Sequence, residues 1–241
     1  MRLFKFTVVC VAALAICGCD QGQPTPPAPT PPGQGITAVP PTDFDATKKD
    51  AESGDATAQY NLGLMYANGD GVPQDFAEVV KLFRLAADQG HADAQHSLGM
   101  MYGEGHGVPQ DLAEAAKWYR LVADQGNADA QTLLAIMYCG GQGVPQDFAE
   151  AVKWYRLAAD QGEAMAQAQL GAMYLKGQGV PQDYAEAYVW LSVAAAGGYA
   201  DIVTGRDLVP GELVAGKLTP EQLSQGQKRA TELFEKISGG K

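Results

Sequence analysis

GDATAQYNLGLMYANGDGVPQDFAEVVKLFRLAADQ, residues 54–89, returns with few changes at 90–125, 126–161 and 162–197. The pentapeptide GVPQD marks the register at Gly71, Gly107, Gly143 and Gly179, 36 residues apart each time. A fixed period of this size is the mark of a solenoid, in which each unit leaves an apolar face that only its neighbours can cover. The expectation is one all-α domain built of about four helix-turn-helix repeats.

Each unit reads as two helices. Ala58, Leu62, Met65 and Tyr66 fall at i, i+4, i+7 and i+8, the apolar stripe of a helix A from about Ala56 to Asn68. Gly63, Gly99 and Gly171, with Ala135 in the third copy, hold one site small enough for a neighbouring helix to approach closely. Gly69, Gly71 and Pro73 end helix A. Asp75 with Glu78 forms an Asp-x-x-Glu capping box, repeated at Asp111/Glu114, Asp147/Glu150 and Asp183/Glu186, that starts helix B at the same place in every copy. Helix B is expected to turn Ala77, Leu82, Leu85 and Ala86 toward the core, with Trp118, Trp154 and Trp190 at the Leu82 position later. Arg84/Asp88, Arg120/Asp124 and Arg156/Asp160 are spaced as exposed i, i+4 pairs.

The unit GDATAQYNLGLMYANGDGVPQDFAEVVKLFRLAADQG closely resembles the Sel1-like repeat, a relative of the tetratricopeptide repeat, over nearly its whole length in all four copies. The resemblance covers residues 54–198 and implies a right-handed α/α superhelical solenoid with helical caps, used as a protein-interaction scaffold. At the ends, residues 43–53 are expected to form a short N-terminal cap helix over the first repeat. Residues 199–241 depart from the unit as a degenerate repeat, with Pro210 and Gly211, followed by a cap helix started by Thr219-Pro220-Glu221-Gln222 and running to about Ile237.

Ahead of the repeats, Arg2 and Lys5 precede an apolar run from Phe6 to Cys17, shorter than the ~20 residues that span a bilayer. Residues 1–18 therefore read as a secretory signal peptide. Its end, Ile16-Cys17-Gly18-Cys19, resembles the bacterial lipobox, which implies cleavage between Gly18 and Cys19 and lipidation of Cys19. Two or three acyl chains there would anchor the chain stably. Asp20 is similar to the signal that keeps some bacterial lipoproteins in the inner membrane. Residues 19–42, with PTPPAPTPPGQ at their centre, cannot bury enough apolar surface to fold and read as a tether that holds the repeats facing the periplasm. Only Cys139 remains in the domain, so no internal disulfide is available; it replaces Ala67, Gly103 and Leu175 and reads as a small apolar filler.

The 241 residues carry a formal charge of −11, and without Arg2 and Lys5 the balance is 15 basic against 28 acidic residues. Nucleic acid is excluded as a partner, because phosphate backbones are held by clustered Lys and Arg that this chain lacks. Catalysis finds no support either. His91, His96 and His106 lack metal-ligand spacing and read as surface substitutions. Some cysteine-rich members of the resembled family bind or cleave β-lactams, which makes a cell-wall enzyme the catalytic alternative. Yet of the five serines only Ser238 is followed three places on by lysine, Lys241, and the paired cysteines of those members are missing. No cofactor is expected.

The copies differ most on helix A at i, i+4, i+7 and i+11, opposite the core stripe. In related helical-repeat proteins helix A lines the concave surface, so the candidate partner-binding residues are Asn61, Leu64 and Asn68; Asp93, Ser97, Met100 and Glu104; Asp129, Leu133 and Ile136; and Met165, Gln169 and Lys176. Leu64, Met100, Leu133, Ile136 and Met165 would form an apolar floor and Asp93, Glu104 and Asp129 an acidic rim. The expected partner is an envelope protein or peptide, with the membrane reached through Cys19. A spacer without a dedicated ligand is the third reading.

Overall fold

The computed structural model describes residues 44–198, 214 and 216–239. The signal peptide, the Gly18/Cys19 cleavage and lipidation site, the Pro-rich tether and the broken segment after Gly198 lie outside them. The described residues form ten helices: α1 Phe44–Glu52, α2 Ala56–Asn68, α3 Phe76–Asp88, α4 Ala92–Glu104, α5 Leu112–Asp124, α6 Ala128–Gly140, α7 Phe148–Asp160, α8 Ala164–Lys176, α9 Tyr184–Ala196 and α10 Pro220–Gly239. Helices A are α2, α4, α6 and α8; helices B are α3, α5, α7 and α9. The chain divides into two compact units at Trp118/Tyr119.

GVPQD serves both helices it joins. Gln74 Nε2 donates to the Ala67 carbonyl at 2.6 Å, closing the end of α2, and Asp75 Oδ1 accepts from the Ala77 and Glu78 N–H groups, opening α3. Gln110, Gln146 and Gln182 repeat the first bond at 2.7–2.8 Å. The expected capping box is one-sided here. The Asp75 N–H goes to the Tyr66 carbonyl, leaving Glu78 to meet Lys81 at 2.9 Å. Among the described residues α10 alone carries the reciprocal box: Thr219 Oγ1 accepts from the Gln222 N–H while Gln222 Oε1 accepts from the Thr219 N–H. Gly107 and Gly179 adopt φ +72° and +70°, and an added Cβ would run into the backbone of Phe76 and Phe148 respectively, so these glycines satisfy both the turn and the approach of the preceding repeat.

In the first unit the core gathers Leu64, Val79, Val80, Phe83, Ala86, Leu98 and Trp118, with Ala51 of α1 against Leu62 and Leu82. A Cβ on Gly63 would lie 2.6 Å from the Phe83 ring, which explains the small residue at that site. In the second unit Gly171 has the same relation to Leu191, at 2.7 Å, and α10 closes the stack by setting Ala230, Leu233, Phe234 and Ile237 on Val189 and Val193.

Two expectations for helix B need correction. Leu85 is 44% exposed and Ala77 is exposed as well; the buried set is Val79, Val80, Leu82, Phe83, Ala86 and Ala87. Neighbours on two sides, its own helix A and the next repeat, pull in those six positions, and Leu85 falls outside both contacts. Nor does Arg84 pair with Asp88. Its guanidinium donates to the Tyr102 hydroxyl one repeat on and lies 5.5 Å from that ring's centroid. Arg120 does the same to Tyr138, and also lies 5.6 Å from the Trp154 ring; Arg156 clasps Tyr174. A guanidinium gains more from a phenol and an aromatic face than from an exposed carboxylate one turn away.

A second inter-helix link was not anticipated. Gln59, Gln95, Gln131 and Gln167 are 3–5% exposed, and each Nε2 donates to a carbonyl of the preceding helix end: Ala51, Ala87, Ala123 and Ala159, at 3.0–3.2 Å. Gln89 and Gln161 in turn donate to Gln59 and Gln131 at 2.7 and 2.8 Å. Buried amides are tolerated because these bonds satisfy them.

Candidate functional site: the helix A face

Helix A of the first unit presents polar groups beside a stacked pair. Tyr60 and the His91 imidazole lie 4.8 Å apart at 28°. His91 is the N-cap of α4: its Nδ1 accepts the Ala94 N–H at 3.3 Å, in the place where Asp55 and Asn127 cap α2 and α6. It is therefore a structural residue, not a plain surface substitution, and with Nδ1 accepting, Nε2 carries the proton. Burial pushes the Tyr60 hydroxyl up; a hydrogen bond from Ser97 offsets part of this and the Asp93 charge adds to it. Asn61, Ser97 and Met100 are half-buried, while Asn68, Asp93 and Glu104 are exposed. Glu104 meets His106 Nδ1 at 3.2 Å.

In the second unit Glu163 caps α8, its Oε2 accepting the Ala166 N–H at 2.6 Å. Burial raises its carboxyl above the usual range; the Ala166 bond works against this and the nearby Asp129 charge adds to it. Met165 and Gln169 are half-buried, and Asp129 and Lys176 are exposed.

The apolar floor expected along helix A is not open. Leu64, Leu133 and Ile136 are only 5, 7 and 4% exposed. In α6 the eight consecutive residues from Ala130 to Met137 are all buried, as in a helix covered on every side. Variation between copies at these positions reflects repacking of the core. What stays accessible is the rim at the helix ends, with Met100 in the first unit and Met165 and Gln169 in the second.

A separate cleft of 470 Å³ lies among Arg156, Tyr174, Pro181, Gln182, Asp183, Glu186 and Trp190. Its polar groups are already engaged: Arg156 with Tyr174, Gln182 with the Leu175 carbonyl, Asp183 with the start of α9 and Glu186 with Arg229. Among the described residues no group of three or more His, Cys, Asp or Glu could hold a metal ion, and no helix is long and apolar enough to cross a membrane.

The Sel1 repeat model matches residues 56–91, 92–127, 128–163 and 164–199, each block opening on the first residue of a helix A. The chain belongs to the Sel1-repeat family. Solved structures agree. A Sel1 repeat protein from Oxalobacter formigenes is similar at 34% identity and a TM-score of 0.61, over 78% of this chain and 75% of that one. A protective antigen of uropathogenic Escherichia coli with an SLR fold is similar at 32% identity and a TM-score of 0.62, over 83% of this chain. The match spans only 49% of that antigen's length. A comparison with curated proteins finds no match. As a Sel1-repeat solenoid the chain belongs among proteins that generally act as interaction scaffolds.

The residues that sequence reasoning missed in this Sel1-repeat chain were visible as identities between copies. The Gln at 59, 95, 131 and 167, and the Arg and Tyr of the clasp, are invariant over the copies that use them. Their spacing of 18 residues for Arg to Tyr is the signal that could have found the clasp.

Proposed function

We propose that this chain is a non-catalytic scaffold, anchored through lipid on Cys19 in a bacterial envelope, that holds a protein or peptide partner against the exposed rim of its helices A. The carrying observation is the division of labour between positions. Most residues identical in every copy serve turns, capping or core packing, while Asn68, Asp93, Glu104, Asp129 and Lys176 vary and are exposed, and Met100, Met165 and Gln169 vary and are half-buried. Support for the anchor comes from the charged start, short apolar run and Gly18-Cys19 junction alone. Asp20 favours the inner membrane.

The test is capture from crosslinked intact envelopes, comparing wild type with the pair Met100→Asp and Gln169→Asp. The partner should be lost from the variant while its thermal melting is unchanged. A captured set identical to wild type would refute docking on this rim. Separately, Cys19→Ala should move the chain out of the membrane fraction, and retention there would refute the anchor.

A further inference from the structure

Helix B carries an exposed large apolar residue at one position in the first three copies: Leu85, Leu121 and Leu157, at 44, 46 and 49% exposure. In the fourth copy that position is Val193, 1% exposed, and the residue one turn earlier changes from lysine to Val189, also 1% exposed. Both valines lie under α10, an amphipathic helix whose Ala230, Leu233, Phe234 and Ile237 rest on them. Gly226 lets α10 come close to Tyr188, and Arg229 pairs with Glu186 at 2.8 Å.

An isolated leucine on a protein surface is ordinary. Here, however, the same repeat position is seen carrying a helix, so the second unit itself displays what this side of helix B accepts. Continuing that interface backward through the array, we propose that Leu121 and Leu157 form a docking surface on the solvent side of α5 and α7 for an amphipathic helix of a partner protein. The fitting helix repeats the α10 pattern, small or apolar at i, i+4, i+7 and i+11 as at Gly226, Ala230, Leu233 and Ile237. It adds a carboxylate toward Lys153, which stands where α9 has Val189. Lys153 is 70% exposed and meets only Glu150 of its own helix, at 2.8 Å, an exposed pair that gives way readily to a new partner. This surface is separate from the helix A rim, so the two can be occupied independently.

The probe is a labelled peptide of residues 219–239 titrated onto the full chain and followed by anisotropy. The tethered α10 already covers α9, so binding in trans reports on the uncovered positions. Saturable binding is expected, weakened at least ten-fold in Leu121→Glu/Leu157→Glu with unchanged melting, because both side chains are exposed. Lys153→Val, which copies the fourth repeat, should tighten it several-fold. Absence of saturable binding to both wild type and Lys153→Val overturns the proposal. Undiminished binding to the double variant overturns it too, since the peptide would then be exchanging onto α9.

Discussion

Gln131→Ala removes one buried link of the stack and its cost can be built from the structure. The side chain is 4% exposed; its Nε2 donates to the Ala123 carbonyl at 3.1 Å and its Oε1 accepts from Gln161 at 2.8 Å. Ala123 O also accepts the Gly126 N–H at 3.0 Å, so the carbonyl is not orphaned, and exposed Gln161 can turn to water. Each lost bond therefore costs the ordinary net value of about 1 kcal/mol, not the larger penalty of a stranded polar group. Removing one buried methylene adds about 0.8 kcal/mol. The total of about 3 kcal/mol corresponds to a fall in Tm of roughly 6–12 °C for a chain of this size. Gln131→Met keeps the volume and should lose only about 1.5–2 kcal/mol. Circular dichroism melts and urea titrations of both variants, with Leu157→Ala as an exposed control within about 0.5 kcal/mol, make the measurement. A double-mutant cycle with Gln161→Ala should return a coupling of about 0.5–1 kcal/mol. A loss below about 1 kcal/mol for Gln131→Ala, or no coupling to Gln161, would refute the view that these amides tie successive helices.

Three further predictions use the same observations. His91→Ala should cost about 1–2 kcal/mol by urea titration, the sum of a lost N-cap and a lost stack on Tyr60, where a surface substitution would cost almost nothing. Arg120→Lys should cost about 1 kcal/mol, because an ammonium cannot reproduce the planar guanidinium over Tyr138 and Trp154. Glu163→Asn should change the pH dependence of melting. Burial raises the folded-state value of Glu163, so its contribution is fully present below the unfolded carboxyl range and is lost as pH rises through the folded value. The Tm of Glu163→Asn relative to wild type should thus rise from about pH 4 upward and then level off; a flat difference across that range would show that the carboxylate is not desolvated.

The fold was legible because the repeat writes its punctuation four times. Gly, Pro and Asp of GVPQD mark where helices stop and start, and those boundaries match α2 and α3 residue for residue. The family match to four consecutive blocks follows from the same redundancy. The face that a partner would meet was less legible, for a physical reason. A single helical stripe tells which side of a helix is apolar, but helix A packs against its own helix B and against the helix B of the preceding repeat. Leu133 and Ile136 are therefore buried although they sit opposite the Leu134 side. Leu85 failed in the opposite direction, apolar yet outside every contact that helix B makes. Polar links such as Gln95 to the Ala87 carbonyl or Arg156 to Tyr174 leave no mark in hydropathy; only identity between copies hints at them.

The scaffold reading stands or falls on where a partner touches the chain. A photo-crosslinking amino acid placed in intact cells at Met100 or Gln169, on helices A, or at exposed Lys48 or Lys228, on α1 and α10, tests this directly. A defined product from the helix A positions, absent from the α1 and α10 positions, is the expected result. Equal labelling of all four, or products from Lys48 and Lys228 alone, would contradict it.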